Sequence, residues 1–221
     1  MATINEERYL VEIWRIENIN GEVSINDLSL RLKVKMPSVN SMVKRLFGKA
    51  YIDYKPYKPI RLTELGRKEA LLVLRKHRLT EMFLCQIMEI GWEHVHTIAE
   101  QIEHIKSPLF FNKIDSMLNH PTLDPHGEPI PDINGVLVKQ NHIKLCKCEV
   151  GDKLIIRTIN NKSEELLSLL NKKGISLNCQ VEVISIEDYD GSFTLKCNNN
   201  EIFLSSEVAE RVMVEKRSPL K

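Results

Sequence analysis

The sequence predicts a mainly α-helical protein with a small β module at its C-terminal end. Three observations carry this. Apolar residues recur at helical spacing through roughly the first half of the chain. A turn-rich segment, HPTLDPHGEPIPDINGVL, with four Pro and two Gly, then interrupts the pattern and reads as loop. Beyond about Lys144 the apolar residues fall into short runs of strand type.

Each element follows from its residues. Residues 5–17 place Tyr9, Leu10, Ile13, Trp14 and Ile16 on one helical stripe, and Asn18 to Gly21 closes that helix. Ser24 caps a second helix, INDLSLRLK, with Asp27 three residues on as a variant capping box. Pro37 suits the first turn of a third, SVNSMVKRLFGKA, whose inner face is Val39, Met42, Val43 and Leu46. YIDYKPYKPIRLT alternates apolar and polar residues around Lys-Pro pairs and reads as a hairpin wing. Helix, short helix, turn, helix and wing make a winged helix-turn-helix. Thr63 opens a long helix through Arg78 and Leu84, another covers about Glu93 to Ile105, and Pro108 begins a short one. Strand runs at KCEVGDKLIIRTI, QVEVISIED, SFTLKCNN and the closing EIFLSSEVAERVMVEK flank a helix, SEELLSLLNKKG, in a β-barrel-like module.

Composition narrows the function classes. The chain has 221 residues, with 43% hydrophobic and 28% charged, ordinary values for a globular protein with a proper core. It has no run of about 18 apolar residues and no signal-like N-terminus, so a cytoplasmic protein without a membrane partner is expected. Five scattered cysteines (Cys85, Cys146, Cys148, Cys179, Cys197) read as reduced thiols, and the C-x-C at Cys146 and Cys148 lacks a second pair at zinc-site spacing. The net charge is only +1, but its distribution is uneven. Between Arg31 and Lys68 lie 11 basic residues against two acidic ones; from Glu81 to Glu103 there is no Lys or Arg, but five Glu with His94 and His96. A basic module followed by an acidic, histidine-bearing one suggests an anionic partner for the first and a cation for the second.

For the anion, the helix from Pro37 to Leu46 is the recognition helix of the predicted motif. Pro37, Ser38, Asn40 and Ser41 lie near its N-terminal end, where side chains reach base edges in the major groove. Lys44, Arg45 and Lys49, with Lys55 and Lys58 of the wing, are placed for phosphates. For the cation, Glu100, Glu103 and His104 stand at i, i+3 and i+4, and His77 and Glu81 form an i, i+4 pair on the preceding helix. His96 lies one turn before Glu100. Carboxylates and imidazoles without thiolate suit Mn²⁺ or Fe²⁺, with Zn²⁺, Co²⁺ or Ni²⁺ as surrogates.

The motifs RKHRLTE (75–81), HTIAEQIEH (96–104), DPHGEPIP (124–131) and IRLTELGRKEA, with VGDKLIIRT and EVAERVMVE near the end, resemble the diphtheria-toxin-repressor and manganese-repressor family (DtxR/MntR). The resemblance covers almost the whole chain. It implies a three-domain repressor: residues 1–70 a winged helix-turn-helix, 71–140 a helical metal-binding and dimerisation domain, and 145–217 an SH3-like FeoA β-barrel. It implies a homodimer on a double-stranded DNA operator, controlling metal homeostasis genes, with no enzyme activity and no small organic substrate. His77, Glu100, Glu103 and His104 fall where that family holds its activating metal. Glu100 stands at a position that is cysteine in iron-sensing members and glutamate in manganese-sensing ones. A second ion is implied at Glu81, Asp124 and His126, with Glu164 or Glu165 as the carboxylate from the C-terminal module and His96 a lesser candidate.

One position departs from the family pattern. The residue before Tyr9-Leu10, Asp or Met in relatives, is Arg8, and a guanidinium has no lone pair to offer a cation. Glu7 or Glu12 could substitute, or the first helix could contribute nothing. In a third alternative Arg8 pairs with Glu100 or Glu103 and replaces the ion, leaving a metal-independent regulator. A carboxylate-bridged metalloenzyme is the reading from another class; it needs two Glu-x-x-His motifs on separate helices, and EQIEH occurs once.

Overall fold

The computed structural model describes residues 2–56, 58–160, 163–198 and 200–217. Helix α1 (Ile4–Asn20) starts at Thr3, whose hydroxyl and the Glu6 carboxylate form a reciprocal capping box, and ends at Gly21 in the left-handed conformation. Helix α2 (Ile25–Leu32) begins with the Ser24–Asp27 box, and α3 (Met36–Gly48) carries Pro37 in its first turn. Strands β1 (Ile52–Asp53) and β2 (Arg61–Leu62) pair antiparallel as the wing; Tyr57 of that hairpin lies outside the described residues. Leu10, Ile13, Leu28, Val39, Val43, Leu46, Ile52 and Ile60 form one buried cluster, so the stripes read from the sequence do meet.

Thr63 accepts a hydrogen bond from the Gly66 amide at the start of α4 (Glu64–Gln86). A Cβ at Gly66 would stand 1.9 Å from the Tyr51 carbonyl, so only glycine lets the helix start this close to the wing. Helices α5 (Val95–Ile102) and α6 (Pro108–Met117) follow. The segment expected to be loop has a single isolated bridge, Leu123 to Pro129, and no helix or strand before β3 (Ile143–Lys144).

The C-terminal elements are β4 (Lys153–Ile159), α7 (Glu164–Lys172), β5 (Gln180–Ile186), β6 (Phe193–Cys197), β7 (Asn200–Leu204), α8 (Ser206–Ala209) and β8 (Val212–Lys216). They form an antiparallel sheet in the order β3-β8-β4-β5-β6-β7 over a core of Leu154, Ile156, Leu167, Leu170, Val183, Leu195 and Val214. The expected SH3-like β-barrel is an open sheet: β3 and β7 are the two edges and do not pair among the described residues. Closure would need a long strand opposite β7, and β3 has two residues.

The chain divides into two compact units. The first takes residues 1–80, 99–120 and 130–138, the second residues 81–98, 121–129 and 139–221, and α4 contributes to both. No helix is long and apolar enough to cross a membrane among the described residues.

Candidate metal centres and nucleic-acid interface

Within the first unit, four titratable side chains come together. His77 on α4 is buried, and its Nδ1 lies 2.6 Å from Glu103 Oε2. A carboxylate can only accept, so this nitrogen carries the proton and orients the ring. The other oxygen of Glu103 is 3.5 Å from His104 Nε2, and His104 Nδ1 donates to Glu7 Oε2 at 2.8 Å. A carboxylate behind each imidazole is the arrangement that orients metal-ligating histidines.

Arg8 is exposed, whereas Glu7, one residue earlier and about 100° around α1, is buried against His104. Glu12 is engaged elsewhere, with Arg15 at 2.6 Å and Arg31 at 3.5 Å. The geometry therefore favours Glu7 over an ion-mimicking Arg8.

Helix α5 ends at Ile102, but the Glu103 amide still bonds to the Ala99 carbonyl at 2.9 Å, so the helical pattern runs on into the turn that carries Glu103 and His104. Glu100 is exposed on the helix.

The second cluster lies wholly within the second unit. Glu81, Asp124 and His126 are buried, and one ligand atom from each lies within 4.8 Å of the others. His126 Nε2 is 2.9 Å from the Trp92 carbonyl, which can only accept, so Nε2 bears the proton. In the neutral ring Nδ1 then holds a lone pair facing Glu81 Oε2 at 3.8 Å and Asp124 Oδ2 at 3.9 Å, too far for hydrogen bonds. A buried lone pair aimed at two carboxylate oxygens is repulsive unless a cation stands between them. The donor set thus fits a divalent ion. His96 joins through Glu81, its Nδ1 3.1 Å from Oε1.

The loop that carries this cluster is tightly fixed. Asp124 Oδ1 accepts from the amides of His126 and Glu128, Ile159 donates to the His126 carbonyl, and Thr158 donates to the Gly127 carbonyl. Trp92 stacks on His126 with centroids 5.7 Å apart and donates through Nε1 to Asn171. Trp92 and these backbone bonds were not foreseen; a lone Trp beside a charged run carries no sequence signal of its own. Cys85 is near the same carboxylates, and burial and the charges of Glu81, Asp124 and Glu93 push its thiol up to about 12.

Two expectations need correction. Glu164 and Glu165 do not join the buried cluster: Glu164 lies 3.2 Å from His94 and is well exposed, and Glu165 is an exposed residue of the first turn of α7. Arg45 and Lys49, expected on phosphates, are bound to Glu6, with Arg45 Nε 2.7 Å and Lys49 Nζ 2.8 Å from Oε1. Glu6 is fully buried; burial alone would raise its carboxyl, but Lys49 and the Thr3 amide overcome this and hold it at about 2. Pro37, Ser38, Asn40, Ser41 and Lys44 are exposed on α3, as are Lys55 and Lys58 on the wing.

Comparison with known proteins agrees with this anatomy. Residues 1–60 match the iron-dependent repressor N-terminal DNA-binding domain, 63–132 the iron-dependent repressor metal-binding and dimerisation domain, and 143–216 the FeoA domain. The iron-dependent repressor IdeR of Mycobacterium tuberculosis is 28% identical, over 95% of this chain and 96% of that protein. The diphtheria toxin repressor of Corynebacterium efficiens is 27% identical, over 95% and 94%. A manganese-dependent transcriptional repressor in complex with manganese superposes with a TM-score of 0.88 at 28% identity, over 96% of this chain and all of that one. All three relatives are repressors by name, the first iron-dependent and the third manganese-dependent. The chain belongs to the DtxR/MntR family of metal-dependent, DNA-binding transcriptional repressors, in its three-domain form with a C-terminal FeoA domain.

Proposed function

We propose that this chain is a manganese-responsive repressor that binds a double-stranded operator as a homodimer and controls metal homeostasis genes in the cytoplasm. The observation that carries the reading is the Glu7–His104 contact, because it joins a helix of the DNA-binding domain to the metal-site residues. Glu7, His77, Glu103 and His104 would hold the activating ion, with Glu100 approaching from the exposed side of α5; Glu81, Asp124 and His126, with His96 beside them, would hold a second. A bound dication supplies the positive charge that lets these carboxylates and imidazole lone pairs converge. Oxygen and nitrogen donors without thiolate favour Mn²⁺, then Fe²⁺, with Zn²⁺, Co²⁺ and Ni²⁺ as surrogates.

On the DNA side, Ser38, Asn40 and Ser41 would read base edges, with Pro37 starting the helix beside them, and Lys44, Lys55 and Lys58 would meet phosphates. The division into domains at 1–70, 71–140 and 145–217 belongs to this reading.

Calorimetry of Mn²⁺ on chelator-stripped protein tests it. Glu7→Gln should weaken binding at the tighter site by at least about tenfold, or 1.4 kcal/mol. Arg8→Ala should leave it unchanged. A parent that binds no Mn²⁺ until Arg8 is removed would instead make Arg8 the surrogate ion, and an unaltered Glu7→Gln isotherm would remove Glu7 from the site.

A further inference from the structure

We propose that Glu6 is the positioning residue that carries the state of the metal-site residues to the recognition helix, its carboxylate fastening α3 to the same helical turn that presents Glu7 to His104. The inference rests on the metal-gated reading above and deepens it.

Glu6 and Glu7 are successive residues, both buried in the first turn of α1, and they engage opposite partners. Glu7 meets His104 at 2.8 Å. Glu6 meets Arg45 and Lys49, its second oxygen 2.9 Å from Lys49 Nζ and 2.7 Å from the Thr3 amide. The Lys106 ammonium donates to the Ala2 carbonyl at 3.2 Å, so the start of α1 is tied to the segment after His104 by two contacts. Because adjacent residues of one helical turn share a rigid backbone, a shift of Glu7 moves Glu6 with it.

The clamp grips α3 at one end only. Arg45 lies in its last turn and Lys49 is its C-terminal cap, while the N-terminal cap, Lys35, makes no side-chain cap hydrogen bond. The residues placed for base edges, Ser38, Asn40 and Ser41, are at the other end. Over 13 residues α3 is about 20 Å long, so a tilt of about 10° at the clamp moves that end by roughly 3 Å, enough to break hydrogen bonds to bases. An ion changes DNA affinity only by favouring one of two arrangements, and the α1 turn gives it a physical route to do so.

The test uses a duplex selected from a random-sequence pool by the Mn²⁺-loaded parent, with binding read by fluorescence anisotropy in chelator and in saturating Mn²⁺, and Mn²⁺ affinity read by calorimetry. The parent should gain at least about tenfold in DNA affinity with Mn²⁺. Glu6→Gln should bind Mn²⁺ within about threefold of the parent, yet show a DNA gain below about threefold. Lys49→Gln should fall between, since Arg45 keeps part of the clamp, and the conservative Lys49→Arg should restore the parent's gain. If Glu6→Gln fails to give a cooperative melt, Lys49→Gln, at a more exposed position, decides alone. Retention of the full gain by the folded variants overturns the relay, as does a loss of Mn²⁺ affinity in Glu6→Gln as large as in Glu7→Gln. A parent without any Mn²⁺-dependent gain overturns the metal-gated reading itself, and the relay with it.

Discussion

Gly127→Ala should destabilise the second unit by about 3 kcal/mol and remove the Asp124–His126 ion site with it. Gly127 has φ of +86°, in the left-handed region, and a Cβ there would stand 1.9 Å from the Arg157 carbonyl oxygen. That atom is backbone in β4, so neither side can yield by a rotamer change. The loop would have to leave the sheet, breaking the Thr158 hydrogen bond to the Gly127 carbonyl and the Ile159 bond to His126. Left-handed strain and a backbone collision act together, which is why the effect should exceed that of an ordinary surface substitution. Thermal melting should show the FeoA-containing transition lowered by roughly 10–20 °C. Calorimetry should lose the Mn²⁺ equivalent assigned to Glu81, Asp124 and His126 while the other remains. An unchanged melt together with full stoichiometry would show that the loop is not held as described.

Glu103→Ala should weaken Mn²⁺-dependent DNA binding by at least about tenfold, or 1.4 kcal/mol, without unfolding the protein. Glu103 touches both His77 and His104, at 2.6 and 3.5 Å. Alanine deletes a proposed ligand and also the group that orients His77, and such orienting groups alone change metal affinity by about 10- to 100-fold. Glu103 lies in the turn after α5, outside the regular helix. Anisotropy titrations at several Mn²⁺ concentrations should show the variant's DNA curve displaced towards the chelated parent's. Curves that overlay the parent's at every Mn²⁺ concentration would take Glu103 out of the site.

Much of this architecture was legible in the residues because it is local. Ser24 with Asp27, Pro37 and the apolar stripes of the first three helices each specify an element through contacts a few residues apart. Thr3 and Glu6 form a full capping box of the same local kind. His77, Glu103 and His104 meet, as do Glu81, Asp124 and His126, on motifs that resemblance to the family picked out. What stayed hidden depends on long-range packing. Whether Glu7 or Arg8 faces His104 is set by the rotation of α1, which the burial of Leu10 and Ile13 in the core fixes. Arg45 and Lys49 look like phosphate ligands in any basic helix; that they also pair with the buried Glu6 emerges only in the fold. The open sheet follows from the pairing of β3 with β8, distant in sequence, and from the shortness of β3. Glu164 was a reasonable donor by charge, but His94 takes it.

The central claim is that a divalent ion, held in part by Glu7 of the DNA-binding domain, sets the affinity for DNA. Its most direct test is the anisotropy titration of chelator-stripped parent protein against its pool-selected duplex, with and without Mn²⁺. The affinity should rise at least about tenfold on adding Mn²⁺, and Glu7→Gln should abolish most of that rise. Identical parent curves in chelator and in saturating Mn²⁺ would contradict it.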